Sequence, residues 1–448
     1  MSLFVIAYLI FILLVFTKAF DKLILEHSLQ GLFQGKQAIR NINGQHRGLL
    51  IIAPLSLLAF AIPYYRVSTS IPTILLVLGI TFTLIRNIKD KSFKLLDTNH
   101  IKVYAALILG YLIFIGLHCV FFKGDFQKLQ LNFLLLFYFL AFLMLHKLSP
   151  QHFVSIAKFY ILGALCFVPF VLVIAAFQFD NLGWKAFYYT DLLSNLKANP
   201  ITHSLYYNIA IIIAAKFIKD SPSSKEKLRY LLSLFVFVFM LVLFGSKTGY
   251  LTGCLSISFI GLSLIRSKAL KIVFIISIPL ALFFVYTYVP YINKKTNGFK
   301  WQITRHEKII LEHRLPRSVI WPQAISLIKE NPIKGVGLGR SIEALSNKYL
   351  AIGYPKGVDN RFNAHNQFLE SWLQLGFFGI FWWILFIGYM LFLSIRKKEI
   401  WLGHFIFLLV CYLLVESLFE SQMGMVAVAF FSAFFILQLV GKDAARNS

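Results

Sequence analysis

Acidic residues are scarce in this chain. Nineteen Asp and Glu stand against 44 Lys and Arg, and charged residues of both signs fill only 14% of the 448 positions. A water-soluble domain cannot hide the apolar surface of a chain that is 58% hydrophobic, so that shortage excludes an ordinary soluble fold. No Asp-x-Asp pair occurs, and the acidic residues of the segment 291–363 show no pairing of metal-site type. Cysteine is equally sparse. Cys119, Cys166, Cys254 and Cys411 each sit inside an apolar run, which excludes a disulfide framework and metal-ligand spacing and leaves them as small apolar packing residues. Runs of about ten residues with alternating polarity are missing, which excludes a β-barrel. No soluble stretch is large enough to concentrate the net charge of +25 into a nucleic-acid-binding domain, so no nucleic-acid partner is expected.

What is present is apolar length. The mean hydropathy is +0.73 and 17% of the residues are aromatic. Thirteen apolar runs lie near 2–18, 48–65, 69–86, 103–122, 129–146, 155–178, 203–218, 230–246, 249–265, 272–290, 366–395, 400–418 and 423–440. Many approach the roughly 20 residues needed to cross a hydrocarbon core. The fold class is therefore all-α, a polytopic transmembrane bundle of 12–13 spans with one large, partly helical external loop. The organisation read from the runs is a bundle of about ten spans over 1–290, a loop over 291–365, and C-terminal transmembrane helices over 366–448. Ser2 to Phe16 lacks a basic flank and a small-residue cleavage site, so it reads as a retained span.

Loop charge orients the spans. Lys18 to Arg47, Arg86 to Lys102, Lys219 to Arg229, Arg266 to Lys271 and Arg396 to Lys398 are strongly basic, and the alternate loops are poorer in charge. The basic set therefore faces the cytoplasm and anionic lipid. The long segment 291–363 and the turn at Ser246 to Gly249 fall on the opposite, external side.

Within the external segment, the spacing of Ile320, Ala324, Leu327 and Ile328 predicts an amphipathic helix from about Pro316 to Glu330. Asn331-Pro332 ends it, and Gly335, Gly337 and Gly339 allow a tight turn. No strand precedes these glycines, so they do not form a nucleotide-binding loop. His365 stands where the external segment meets an apolar run, beside Asn366, which is placed to fix the imidazole's orientation. Gly376 and Gly379 lie three apart and suit close helix approach. Arg317 falls one turn before Trp321, Arg314 three residues earlier, and Lys247 on the short outer turn of a separate hairpin. Such cations can hold a diphosphate, arginine by bidentate contact and lysine as a point charge. Read without a substrate, the same helix is an interfacial basic helix that holds phospholipid headgroups.

These residues resemble the O-antigen ligase and polymerase superfamily of bacterial envelope enzymes. The resemblance rests on His-Asn-x9-Gly-x-x-Gly, met by His365, Asn366, Gly376 and Gly379. It rests also on Arg-x-x-x-Trp followed by Asn-Pro-x-x-Gly-x-Gly, met by Arg317, Trp321, Asn331, Pro332, Gly335 and Gly337. It implies a metal-independent, cofactor-free transfer of a glycan from an undecaprenyl-diphosphate carrier, on the periplasmic face of the bacterial inner membrane. His365 would act near the acceptor hydroxyl and Arg317 on the carrier diphosphate. Many members carry a Ser-Arg pair at the outer end of a middle span. Here Ser246-Lys247 takes that place, with Arg314, Arg340 and Arg361 as alternative second cations.

The chemistry agrees with that implication. A neutral imidazole can take the proton of an attacking sugar hydroxyl. The lipid diphosphate leaves as an anion that fixed cations stabilise, and direct displacement inverts the anomeric carbon. The leading expectation is a ligase joining glycan to lipid A–core oligosaccharide. A polymerase that uses a second carrier-linked glycan as acceptor is the alternative. A protein O-glycosyltransferase and a transporter or flippase rank below both.

Overall fold

Every regular element among the described residues is a helix. The computed structural model describes residues 51–64, 66–89, 99–145, 151–265, 267–270, 272–273, 276 and 316–446. In chain order we label α1 Ile51–Tyr64, α2 Arg66–Lys89, α3 Asn99–Phe121, α4 Phe126–Leu145, α5 Gln151–Phe177, α6 Pro200–Asp220, α7 Ser224–Phe244 and α8 Lys247–Leu264. The second half of the chain adds α9 Pro316–Glu330, α10 Ser341–Ala351, α11 Pro355–Asp359, α12 Gln367–Leu375, α13 Phe377–Arg396, α14 Ile400–Leu413 and α15 Gln422–Arg446. Seven of the described helices (α3 to α7, α13 and α15) are long and apolar enough to cross a membrane, and three shorter apolar stretches accompany them. The chain is an all-α polytopic membrane bundle. The runs at 2–18 and most of 272–290, the segment 291–315 and Arg314 within it lie outside the described residues.

Two predicted runs are broken. The run 366–395 is cut into α12 and α13 at Gly376, whose φ of 66° no α-helix accommodates. With nine residues α12 is too short to span, so the membrane helix begins at Phe377. The run 400–418 leaves helical geometry after Leu413, and residues 414–421 form turns and one 3-10 turn before α15 begins.

The chain divides into two compact units. One comprises 1–102, 137–249 and 430–448, the other 103–136 and 250–429. In the first, α6 is deeply enclosed: the side chains from Leu205 to Ala215 are all buried. Asn199 caps its start by accepting from the Ile201 amide at 2.8 Å, and Pro200 fills the first helical position, where no amide hydrogen is needed. Two tyrosine hydroxyls cross-link α5 and α6, Tyr160 to the Tyr206 carbonyl and Tyr207 to that of Ala164, each at 2.7 Å. Buried hydroxyls without partners would cost about 1–3 kcal/mol each, so these bonds fix which faces meet.

The second unit carries α9 to α12. Val319, Ile320, Ala324, Leu327 and Ile328 of α9 pack with Leu345 and Tyr349 of α10, with Tyr354 and Ala364, and with Leu373 of α12. The predicted apolar stripe is this core face, and each fully buried aliphatic side chain in it contributes roughly 1.5–3 kcal/mol. That core holds α9 against α12.

Candidate functional site

The two glycine-bearing motifs are one piece of structure. The Val336 amide donates to the Leu373 carbonyl at 2.8 Å and the Gly337 amide to that of Gln374 at 3.0 Å. In return the Phe377 amide and the Trp372 indole donate to the Pro332 carbonyl, at 2.9 and 3.0 Å. The backbones touch so closely that only glycine fits. A Cβ on Gly335 would lie 2.5 Å from the Gln374 oxygen, and one on Gly376 only 1.9 Å from that of Ile333. Both residues also hold positive φ, at 67° and 66°. The turn predicted around Gly335 and Gly337 is present. Gly376 does not lie on a helix face with Gly379, because it is the break between two helices. Gly379 serves the same corner: a Cβ there would meet the Ser371 carbonyl at 2.2 Å.

This interlock positions His365. Trp321 of α9 donates its indole N–H to the Ala364 carbonyl at 3.0 Å, and Glu370 of α12 accepts the Ala364 amide at 2.8 Å. The residue before the histidine is thus held at both its amide and its carbonyl. His365 itself has φ 44°, uncommon for a side-chain-bearing residue, and the Asn363 side chain accepts its amide at 2.9 Å. Backbone strain of this kind gathers at functional sites.

The imidazole partner is not Asn366. The Asn366 side chain caps α12 by accepting from the Phe368 and Leu369 amides, and its amide group donates to the Leu414 carbonyl at 3.1 Å. The ring partner is Glu416, whose Oε1 lies 3.3 Å from His365 Nδ1. Glu416 is almost fully enclosed and the imidazole is partly open, with side-chain exposures of 9% and 29%. A carboxylate on Nδ1 selects the tautomer protonated there and leaves the Nε2 lone pair for a substrate proton.

After α14 the helical ladder runs out, and side chains take up backbone groups between residues 414 and 419. Leu414 O takes Asn366, Val415 O takes the Arg317 guanidinium at 2.7 Å, and the Phe419 amide donates to Gln367 at 2.8 Å. Arg317 therefore reaches the carbonyl next to Glu416, which brings the predicted cation and the predicted base to one short stretch of chain. Its buried Nε–H has no partner among the described residues. One guanidinium bond is spent on the protein and a buried donor remains.

Behind His365 lies a buried polar cluster. Gln374 donates to Glu370 at 2.7 Å and to Glu420 at 2.6 Å, and Lys128 pairs with Glu420 at 2.7 Å. Burial, then the nearby Glu420 carboxylate, pushes the Glu370 carboxyl up to about 7. Glu370 precedes the membrane span and supports the His365 turn through Ala364. Among the described residues no group of three His, Cys, Asp or Glu side chains is arranged to hold a metal ion.

Lys247 belongs to the other unit. Its neighbour Ser246 accepts the Gly249 amide at 3.1 Å and so caps α8, which places Lys247 at the first helical position. A cation there opposes the helix dipole, so local helix stability does not account for it. Arg340 and Arg361 are both exposed, and Arg340 faces Glu343 at 3.8 Å.

The family model for O-antigen ligase matches residues 232–384. That stretch is similar to an O-antigen ligase domain. The match takes in Lys247, Arg317, Trp321, His365 and all the motif glycines, and it stops before Glu416 and Glu420. Over the matched residues the chain is similar to ligase and polymerase-type glycosyltransferases, and the apolar helices are those of a multi-pass membrane protein. A comparison with curated proteins finds no match. Sequence reasoning missed Glu416, Glu370 and Glu420. The available signal was their rarity: carboxylates inside or beside apolar runs are costly and tend to be functional.

Proposed function

We propose that this O-antigen ligase-type enzyme transfers a glycan from undecaprenyl diphosphate to lipid A–core oligosaccharide on the periplasmic face of the inner membrane. The observation that supports this most is the His365–Glu416 pair with Arg317 bonded to the adjacent Val415 carbonyl. A base and a cation meet there beside a membrane bundle, as transfer from a lipid diphosphate requires. Glu416 holds Nδ1–H, and His365 Nε2 accepts the proton of the acceptor hydroxyl as its oxygen attacks the anomeric carbon. The bond to the diphosphate oxygen breaks on the opposite face, with inversion. Arg317 meets the charge that develops on the departing diphosphate. Positioned base catalysis contributes about 10²–10⁴ in rate, and fixed charges need no reorganisation at the moment of reaction.

The test is a purified reaction. The enzyme receives synthetic carrier-linked glycan together with either lipid A–core or a second carrier-linked glycan. Product on lipid A–core supports the ligase. Extension of the carrier-linked chain alone assigns a polymerase, and movement of intact carrier-linked glycan across vesicles without a new glycosidic bond sinks both.

A further inference from the structure

The geometry points to a membrane-inserted wedge at the Pro332–Lys334 turn: Ile333 enters the acyl-chain boundary of the bilayer and Lys334 binds lipid phosphate. This goes beyond the transfer reaction and does not depend on it. The turn is bonded to the ends of two membrane helices. On one side Pro332 O accepts the amide of Phe377, the first residue of the span α13. On the other, His118 in the last turn of the span α3 bonds the Lys334 carbonyl at 2.8 Å, and the Asp125 amide just beyond α3 donates to Leu338 at 2.8 Å. A residue hydrogen-bonded to the ends of two spans sits where hydrocarbon gives way to headgroups.

At that level the side chains are apolar and uncovered. Ile333 is 79% exposed, and the neighbouring span ends expose Phe121, Phe377 and Phe378. In a soluble loop one bare isoleucine needs no explanation. Here it continues the lipid-facing surface of α3 and α13. The chemistry around it suits a phospholipid surface: Lys329 and Lys334 are exposed on either side, and the Trp372 indole is tied to the turn through Pro332. Because α9 runs directly into this turn, the wedge sets the depth of the helix that carries Arg317.

The test uses the full chain in vesicles of phosphatidylethanolamine and phosphatidylglycerol. Ile333→Cys is made with the four native cysteines changed to alanine and labelled with an NBD fluorophore. We expect lipids spin-labelled on their acyl chains to quench the label at least half as strongly as the same label at Phe377→Cys, and aqueous iodide to quench it far less than soluble NBD–cysteine. Strong iodide quenching with weak lipid quenching overturns the proposal, as does shielding from both, which would mean a protein neighbour. If the cysteine-free background fails to fold, a photo-crosslinking benzoylphenylalanine is placed at position 333 of the otherwise native chain in native membranes. A phospholipid adduct supports the wedge, and adducts to protein alone, or none, overturn it.

Discussion

Glu416 Oε1 stands 3.3 Å from His365 Nδ1, at the point where the chain unwinds after α14. An enclosed carboxylate against a partly open imidazole orients the ring and stabilises the imidazolium that forms when Nε2 takes a proton. Glu416→Gln keeps the size of the side chain and removes its charge. It should lower kcat by at least about tenfold with little change in KM, while His365→Ala should abolish transfer, since positioned base catalysis is worth about 10²–10⁴. Initial rates against acceptor concentration separate the two constants. A Glu416→Gln enzyme with wild-type kcat would reduce Glu416 to a packing residue.

Arg317 has two roles to disentangle, because it both bonds Val415 O and is proposed to meet the diphosphate. Arg317→Lys retains charge and can still reach one carbonyl, yet it cannot make a bidentate contact. Transfer should fall at least about tenfold with thermal stability in detergent nearly unchanged, in keeping with roughly 1.5–3 kcal/mol for a hydrogen bond to a charged group. Loss of stability in proportion to activity would make the arginine structural.

The glycine interlock offers a test of fold. Gly376→Ala places a methyl group 1.9 Å from the Ile333 carbonyl at a φ of 66°. Backbone on both sides cannot yield as a flexible side chain would, so the variant should lose folded, monodisperse protein on size exclusion. Gly388→Ala in α13, where a Cβ would meet nothing within 4 Å, should behave as wild type and serves as the control. Equal yields from the two would show that the interlock is not needed for folding.

What the sequence made legible follows from the range of each signal. The α9 stripe, its stop at Asn331-Pro332 and the turn at Gly335 are local, and each is present. The break at Gly376 was hidden because Gly-x-x-Gly inside an apolar run reads equally well as a helix-packing face. The reason for the break lies about forty residues away, in the Ile333 carbonyl. Asn366 beside His365 invited a direct role, yet an asparagine ahead of a helix serves first as its cap. Glu416 was invisible for a similar reason: it pairs with His365 across 51 positions, with no periodicity to connect them.

Lys247 tests whether a cation, or an arginine in particular, is required beside Ser246. Lys247→Arg should retain most transfer, and Lys247→Ala should lose it while the α8 cap from Ser246 persists. Transfer rates at saturating donor decide this. Full activity in the alanine variant would shift the second cation to Arg340 or Arg361.

Glu370 makes stability depend on pH. Burial and the Glu420 carboxylate raise its folded pKa to about 7, whereas an unfolded glutamate titrates near 4.3. Below the unfolded value both states hold the proton and the group costs nothing. As pH rises from there toward about 7, the unfolded chain gives up its proton while folded Glu370 keeps it, so folding loses stability across that window and reaches a lower plateau above it. Glu370→Gln cannot titrate and can still accept the Ala364 amide. Relative to wild type, the variant should therefore gain thermal stability as the pH is raised from 5 to 8, in detergent scans of both proteins. A wild-type-to-variant difference that stays constant over that range would mean that Glu370 is already ionised in the folded protein, with Lys128 and Gln374 balancing both carboxylates.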